Sequence, residues 1–122
     1  MRVVVVSAFL VFLFPFIYVL PVAADEVEDA VQAYSRADYR TAINMARLLA
    51  EAGNADAQYL LAMAYMDGHG VGKDLVESYK WYELVVRGGD AGAELDRDDV
   101  ASQLSPDQLA EAKKRADEWA PK

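Results

Sequence analysis

Residues Ala55–Gly89 read ADAQYLLAMAYMDGHGVGKDLVESYKWYELVVRGG, and this stretch decides the fold. Asn54 stands just before it, where a side-chain oxygen can accept a free backbone N–H and start a helix at Ala55. Leu60, Leu61, Ala64 and Tyr65 then fall on one helical face. DGHGVG follows, with Gly68, Gly70 and Gly72 alternating, which predicts a compact turn. Asp74 and Glu77 have the spacing of a capping box for a second helix. Leu75, Tyr79, Tyr82 and Val86 line one stripe of that helix, and Ser78, Trp81 and Val85 the neighbouring one. Glu77, Lys80 and Arg87 lie opposite. An apolar arc this wide predicts more than one neighbour. Gly88 and Gly89 end the helix.

The ordered positions Ala57, Gln58, Leu61, Tyr65, Gly68, Gly70, Val71, Asp74, Trp81 and Gly89 resemble the Sel1-like repeat, a helical-pair relative of the tetratricopeptide repeat. The chain departs from the family pattern at Ala62, where glycine is usual, at Ser78, where alanine is usual, and at Val85-Val86, where two alanines are usual. The resemblance implies an all-α fold, a short α-solenoid of about three antiparallel helix pairs. It also implies a scaffold role, in which stacked helices offer a groove to a peptide or protein.

The same unit recurs on the N-terminal side in shortened form, over 25–53. Val27, Ala30, Val31 and Tyr34 mark a first helix from near Glu26 to Ser35, and Ser35-Arg36-Ala37-Asp38 replaces the glycine loop. The pairs Asp38 and Asp74, Ala42 and Ser78, Met45 and Trp81, Leu49 and Val85, Ala50 and Val86, and Gly53 and Gly89 are each 36 residues apart. A constant offset across a whole helix is the mark of an internal repeat. The full unit spans 54–89, and a degenerate capping unit spans 90–119. In the latter Arg97 stands where Leu61 predicts an apolar residue. Terminal repeats are atypical because their outer face meets water. Ser105, Pro106 and Gln108 start the last helix. Leu109, Ala112, Ala116 and Trp119 form its apolar stripe, with Trp119 closing the core. Residues 120–122 form a tail expected to fray.

Residues 1–24 read as a secretory signal peptide. Arg2 is the only charge, Val3–Leu20 is almost wholly apolar, and the small-residue exit ends at Ala24. Cleavage after Ala24 is expected, with an uncleaved anchor as the alternative. Export would place the chain in the periplasm of a Gram-negative cell, or outside the cell otherwise, with no membrane attachment after cleavage. Cleavage leaves 98 of the 122 residues, with 11 of the 12 basic residues against all 20 acidic ones, a net charge of −9 in place of −8. That balance argues against nucleic acid and anionic lipid as partners. The absence of cysteine removes disulfides, thiolate metal sites and cysteine nucleophiles together.

Candidate chemistry is sparse, and no cofactor or metal is expected. His69, the one histidine, is expected to be an ordinary exposed loop residue. Asp90, Glu94, Asp96, Asp98 and Asp99 form an acidic run without the spacing of an EF-hand, and read as a solvated helix face. The glycines at 68, 70 and 72 follow no strand and precede no G-K-[ST], which argues against phosphate binding. Tyr59 and Met63, four apart and flanked by Asp56, lie off the repeat's packing positions. They are the candidate partner-binding residues on the concave side, with packing between units as the other reading. The expected function is an exported protein–protein interaction module, an adaptor or regulator in the cell envelope without catalysis of its own. Two alternatives stand beside it. One is a weak cell-wall-related hydrolase or ligand binder, since cysteine-rich relatives are linked to such compounds. The other is a structural domain that self-associates as a homodimer.

Overall fold

A computed structural model describes residues 22–122, so the expected signal segment lies almost wholly outside the described residues. Six α-helices follow one another: α1 Val22–Ser35, α2 Tyr39–Glu51, α3 Ala55–Asp67, α4 Leu75–Arg87, α5 Glu94–Ser102 and α6 Pro106–Glu118. A 3₁₀ turn, Ala91–Ala93, leads into α5. No strand occurs among the described residues. The architecture is the all-α stack of helix pairs that the repeat pattern predicts.

Helix starts follow local chemistry. The Asn54 side chain accepts from the Ala57 N–H at 2.9 Å. Asp74 accepts from the Val76 and Glu77 N–H groups, both at 3.1 Å. The Ser105–Gln108 capping box forms in both directions. Each satisfies donors that a helix start leaves without an intrahelical partner. The 36-residue offset extends to the backbone at the ends of α2 and α4. Gly53 and Gly89 are both left-handed, at φ +98° and +103°. Their N–H groups donate to the carbonyls of Ala50 and Val86, each at 3.0 Å. The next N–H in each case, from Asn54 and Asp90, returns to Leu49 and Val85. A Cβ would penalise this left-handed closure, which explains glycine at both places.

The core runs along the inner sides of α2, α3 and α4. Ala42, Ile43, Ala46, Leu61, Ala62, Ala64, Tyr82 and Val85 are buried there. Small residues on α2 and α3 let the helix backbones approach closely. Two buried polar side chains bridge neighbouring helices. Gln58 donates to the Ala50 carbonyl at 3.1 Å, and Ser78 donates to the Ala62 carbonyl at 2.8 Å. Ser78, where the family usually has alanine, thus keeps its hydroxyl satisfied between α4 and α3.

α4 packs on α3, α5 and α6 together, so its wide apolar arc meets several neighbours as expected. α5 and α6 each lean on α4 more than on each other. The polar side of α4 is a seam rather than a solvated face. Glu77 binds Lys80 at 2.9 Å and Arg115 of α6 at 2.7 Å. Arg97 of α5 reaches Glu83 of α4 at 3.1 Å. That pairing is how a charged residue is tolerated at a position where the repeat predicts an apolar one.

Trp81 is buried at 2 % exposure. Trp119 meets it edge-on with centroids 6.3 Å apart, and the Lys80 ammonium lies 4.0 Å from the Trp81 ring centroid. Residues 120–122 do not hang free. The Lys122 N–H donates to the Glu51 carbonyl at 2.8 Å, and the Trp119 ring and Pro121 lie beside Gly53.

Candidate binding groove

The first helices of the units, α1 and α3, and the turn leading into α5 share one side of the stack. A groove of about 580 Å³ opens there. Its floor is apolar: Tyr59, Leu60 and Met63 from α3, with Val31 of α1 at the side. Its rim is acidic: Glu28 from α1, Asp56 from the first turn of α3, and Asp90 before the 3₁₀ turn. All three sequence candidates, Asp56, Tyr59 and Met63, therefore line one groove. Glu28, Val31, Leu60 and Asp90 join them from outside the motif. Asp90 stands 36 residues after Asn54 and, like it, accepts a backbone N–H at the start of its unit, from Gly92 at 2.8 Å.

Tyr59 serves the groove and the packing at once. Its ring meets Tyr82 edge-on at 5.3 Å. Its hydroxyl donates to Asp96 of α5 at 2.7 Å. The hydrogen bond to Asp96, then burial, then the charges of Asp96 and Asp90 push the Tyr59 phenol up to about 12. The proton is committed to Asp96, so the hydroxyl offers the groove no acid or base near neutral pH. Tyr82, fully buried behind it, has its phenol raised mainly by burial, and its hydroxyl has no hydrogen-bond partner among the described residues.

The acidic run is largely solvated, as expected: Asp90, Glu94, Asp98 and Asp99 are exposed and Asp96 is half-buried, yet several of them also have local tasks. Asp96 holds Tyr59, Asp98 pairs with Arg97 at 3.0 Å, and Asp90 accepts from the Gly92 N–H at 2.8 Å. Among the described residues no group of three or more His, Asp or Glu side chains is arranged to hold a metal ion. The rim carboxylates of Glu28, Asp56 and Asp90 form no ion pair with a cation among the described residues.

His69 is the clearest departure from expectation. It is half-buried, not an ordinary exposed loop residue. Its ring stacks on Tyr39 at 4.3 Å and 13°, and Nδ1 shares a 3.2 Å hydrogen bond with the Tyr34 hydroxyl. Tyr34 and Tyr39 flank the turn between α1 and α2, so the glycine loop of the second unit is seated on the first. Gly70 lets it sit so low: a Cβ there would lie 2.8 Å from the Tyr39 carbonyl oxygen, and its φ is +74°. The remaining motif residues are structural. Ala57 and Leu61 are core, Tyr65 and Val71 pack against it, Gly68 closes α3, and Asp74 caps α4.

The Sel1 repeat matches residues 32–54 and 55–90, two consecutive stretches that meet at the Asn54 cap. The chain belongs to the Sel1-like repeat proteins. Sel1 repeats are in general protein–protein interaction modules. In this Sel1-like chain the matched stretches supply α2, α3 and α4, and the groove opens beside them. Among curated proteins none matches the chain.

Proposed function

We propose that this Sel1-like protein is an adaptor that holds a peptide segment of another protein in the groove across α1, α3 and the turn before α5. The observation that carries the reading is the convergence of Asp56, Tyr59 and Met63, outside the repeat's packing positions, on one groove of the stack. Its floor combines an aromatic ring with an adaptable methionine, a surface suited to apolar side chains of varied shape. Its polar atoms lie at the rim and not in a buried reaction centre. The role in this reading is binding, without catalysis of its own.

The place of action in this reading is the cell envelope, reached by export. The support is the basic, apolar and small-residue order of residues 1–24. Cleavage after Ala24 would trim three residues from α1 and leave the rest of the stack. No helix among the described residues is long and apolar enough to cross a membrane.

Two measurements test the reading. A photo-crosslinking residue at position 63, introduced in living cells, is expected to trap a protein that the same residue at position 110 on α6 does not. Trapping at both positions alike, or at neither, overturns the groove. N-terminal sequencing of the chain recovered from cells is expected to begin at Asp25, and a chain beginning at Met1 in the cytoplasm overturns export. Self-association is a second reading, favoured by Leu48 of α2, which is 77 % exposed. Sedimentation of the protein beside Leu48→Glu separates the two, since only a dimer through that face would dissociate in the variant.

A further inference from the structure

The groove has a charge signature that the repeat motif does not require. Three of its lining residues, Glu28, Asp56 and Asp90, are carboxylates, and none of the described lining residues is basic. Among the described residues no cation pairs with these three carboxylates, whereas Arg87, Arg97, Arg115, Lys80 and Lys122 sit in ion pairs on α4, α5, α6 and the tail. The rim keeps its negative potential for that reason. The floor between the carboxylates is Val31, Tyr59, Leu60 and Met63. Val31 is 43 % exposed, which is high for a valine beside a core.

Resting on the groove reading above, we infer that the occupant is a cationic amphipathic peptide segment, in which lysine or arginine flanks one or two large apolar side chains. The apolar anchor sits on Met63 and Tyr59, and the cations reach Glu28 on one side and Asp56 and Asp90 on the other. The charge pattern excludes the opposite occupant. An acidic segment would bring like charges against three carboxylates, and such juxtaposition costs affinity steeply. The methionine floor leaves the apolar residue loosely specified, so the cations carry the selectivity. Arginine is the better of the two cations, since its planar fork can engage a carboxylate through two donors. The contact is fast and salt-sensitive, because exposed rim charges act mainly on encounter.

The test is selection from a random peptide display library against protein purified from cells expressing the full sequence. The expected winners are enriched in lysine and arginine around leucine, isoleucine or phenylalanine. For a synthesised winner, Glu28→Gln combined with Asp56→Asn is expected to weaken binding about three- to ten-fold. Raising salt should weaken it by a similar factor, and Glu118→Gln on α6 should leave it unchanged. Thermal melts of the variants keep folding apart from binding, and Asp90 is spared because it caps the 3₁₀ turn. Winners that bind in the groove, losing affinity in Met63→Ala, yet carry no excess of basic residues overturn the cationic inference and leave the groove reading standing. Winners indifferent to Met63→Ala and to the paired carboxylate variant overturn both.

Discussion

Substituting Gly70 with alanine should unseat the long loop from the first unit. The magnitude follows from three parts. A non-glycine residue at φ +74° costs about 1–2 kcal/mol. The new Cβ would lie 2.8 Å from the Tyr39 carbonyl oxygen and 2.9 Å from its carbon, both backbone atoms that cannot swing aside. The loop must lift, which loosens the 4.3 Å His69–Tyr39 stack and the 3.2 Å His69–Tyr34 bond, each worth ~0.5–1.5 kcal/mol. The sum is about 3 kcal/mol. For a domain of this size that lowers the melting midpoint by roughly 12–24 °C. Gly72 provides the internal control. It has open space around its Cβ position and no positive φ, so Gly72→Ala should leave stability unchanged or raise it by about 0.4–1 kcal/mol. The assay is thermal unfolding followed by far-ultraviolet circular dichroism on the two variants and the parent. A Gly70→Ala protein melting within about 3 °C of the parent, or below which Gly72→Ala falls, would refute the seated-loop geometry.

Trp81→Ala removes a buried aromatic worth ~3–5 kcal/mol, a large part of a small domain's ~5–15 kcal/mol, so the variant should lose most of its cooperative melt by calorimetry. Ser78→Ala should cost no more than about 1 kcal/mol in a urea titration, because the Ala62 carbonyl it releases already belongs to the α3 ladder. Tyr59→Phe should lower the melting midpoint by a few degrees through loss of the 2.7 Å bond to Asp96. Tyr59 also sets an alkaline limit. Its folded phenol stands at about 12 against an ordinary value of 10.0, so its contribution is complete below pH 10 and fades as pH climbs toward 12. Tyrosinate absorbance should show Tyr59 ionising late in the parent, and Tyr59→Phe should melt with less pH dependence across that window.

The helix pairs are legible in the sequence because their signals are local. Asn54, Asp74 and Ser105 announce helix starts within three residues of themselves, and the 36-residue offset from Asp38 to Gly53 needs no knowledge of space. The groove is half legible. Tyr59 and Met63 stand out by not belonging to the repeat's packing set, while Glu28 lies on another unit without a mark, and Val31, read as part of the first helix's apolar face, stands 43 % exposed. His69 departs from its expected exposure because its partners, Tyr34 and Tyr39, lie far upstream, on the two helices of the preceding unit. One signal in the sequence does point to it. Contacts between neighbouring units recur close to one repeat apart: Tyr34 to His69 at 35, Tyr59 to Asp96 at 37 and Glu77 to Arg115 at 38. Stacking brings equivalent positions of successive units side by side. The seam along α4 is hidden for a related reason: a charged stripe looks solvated until a later helix supplies its counterions.

A row of repeats usually loosens from its ends, since an outermost member has only one neighbour to hold it. The grip of Lys122 on the Glu51 carbonyl, with Trp119 beside Gly53, changes that habit. The final segment is clasped to the second helix across the intervening hairpin, so peeling it away strips a contact from the opening unit as well. Separate fraying of the last helix is thereby discouraged, since its release also strips α2 of a contact.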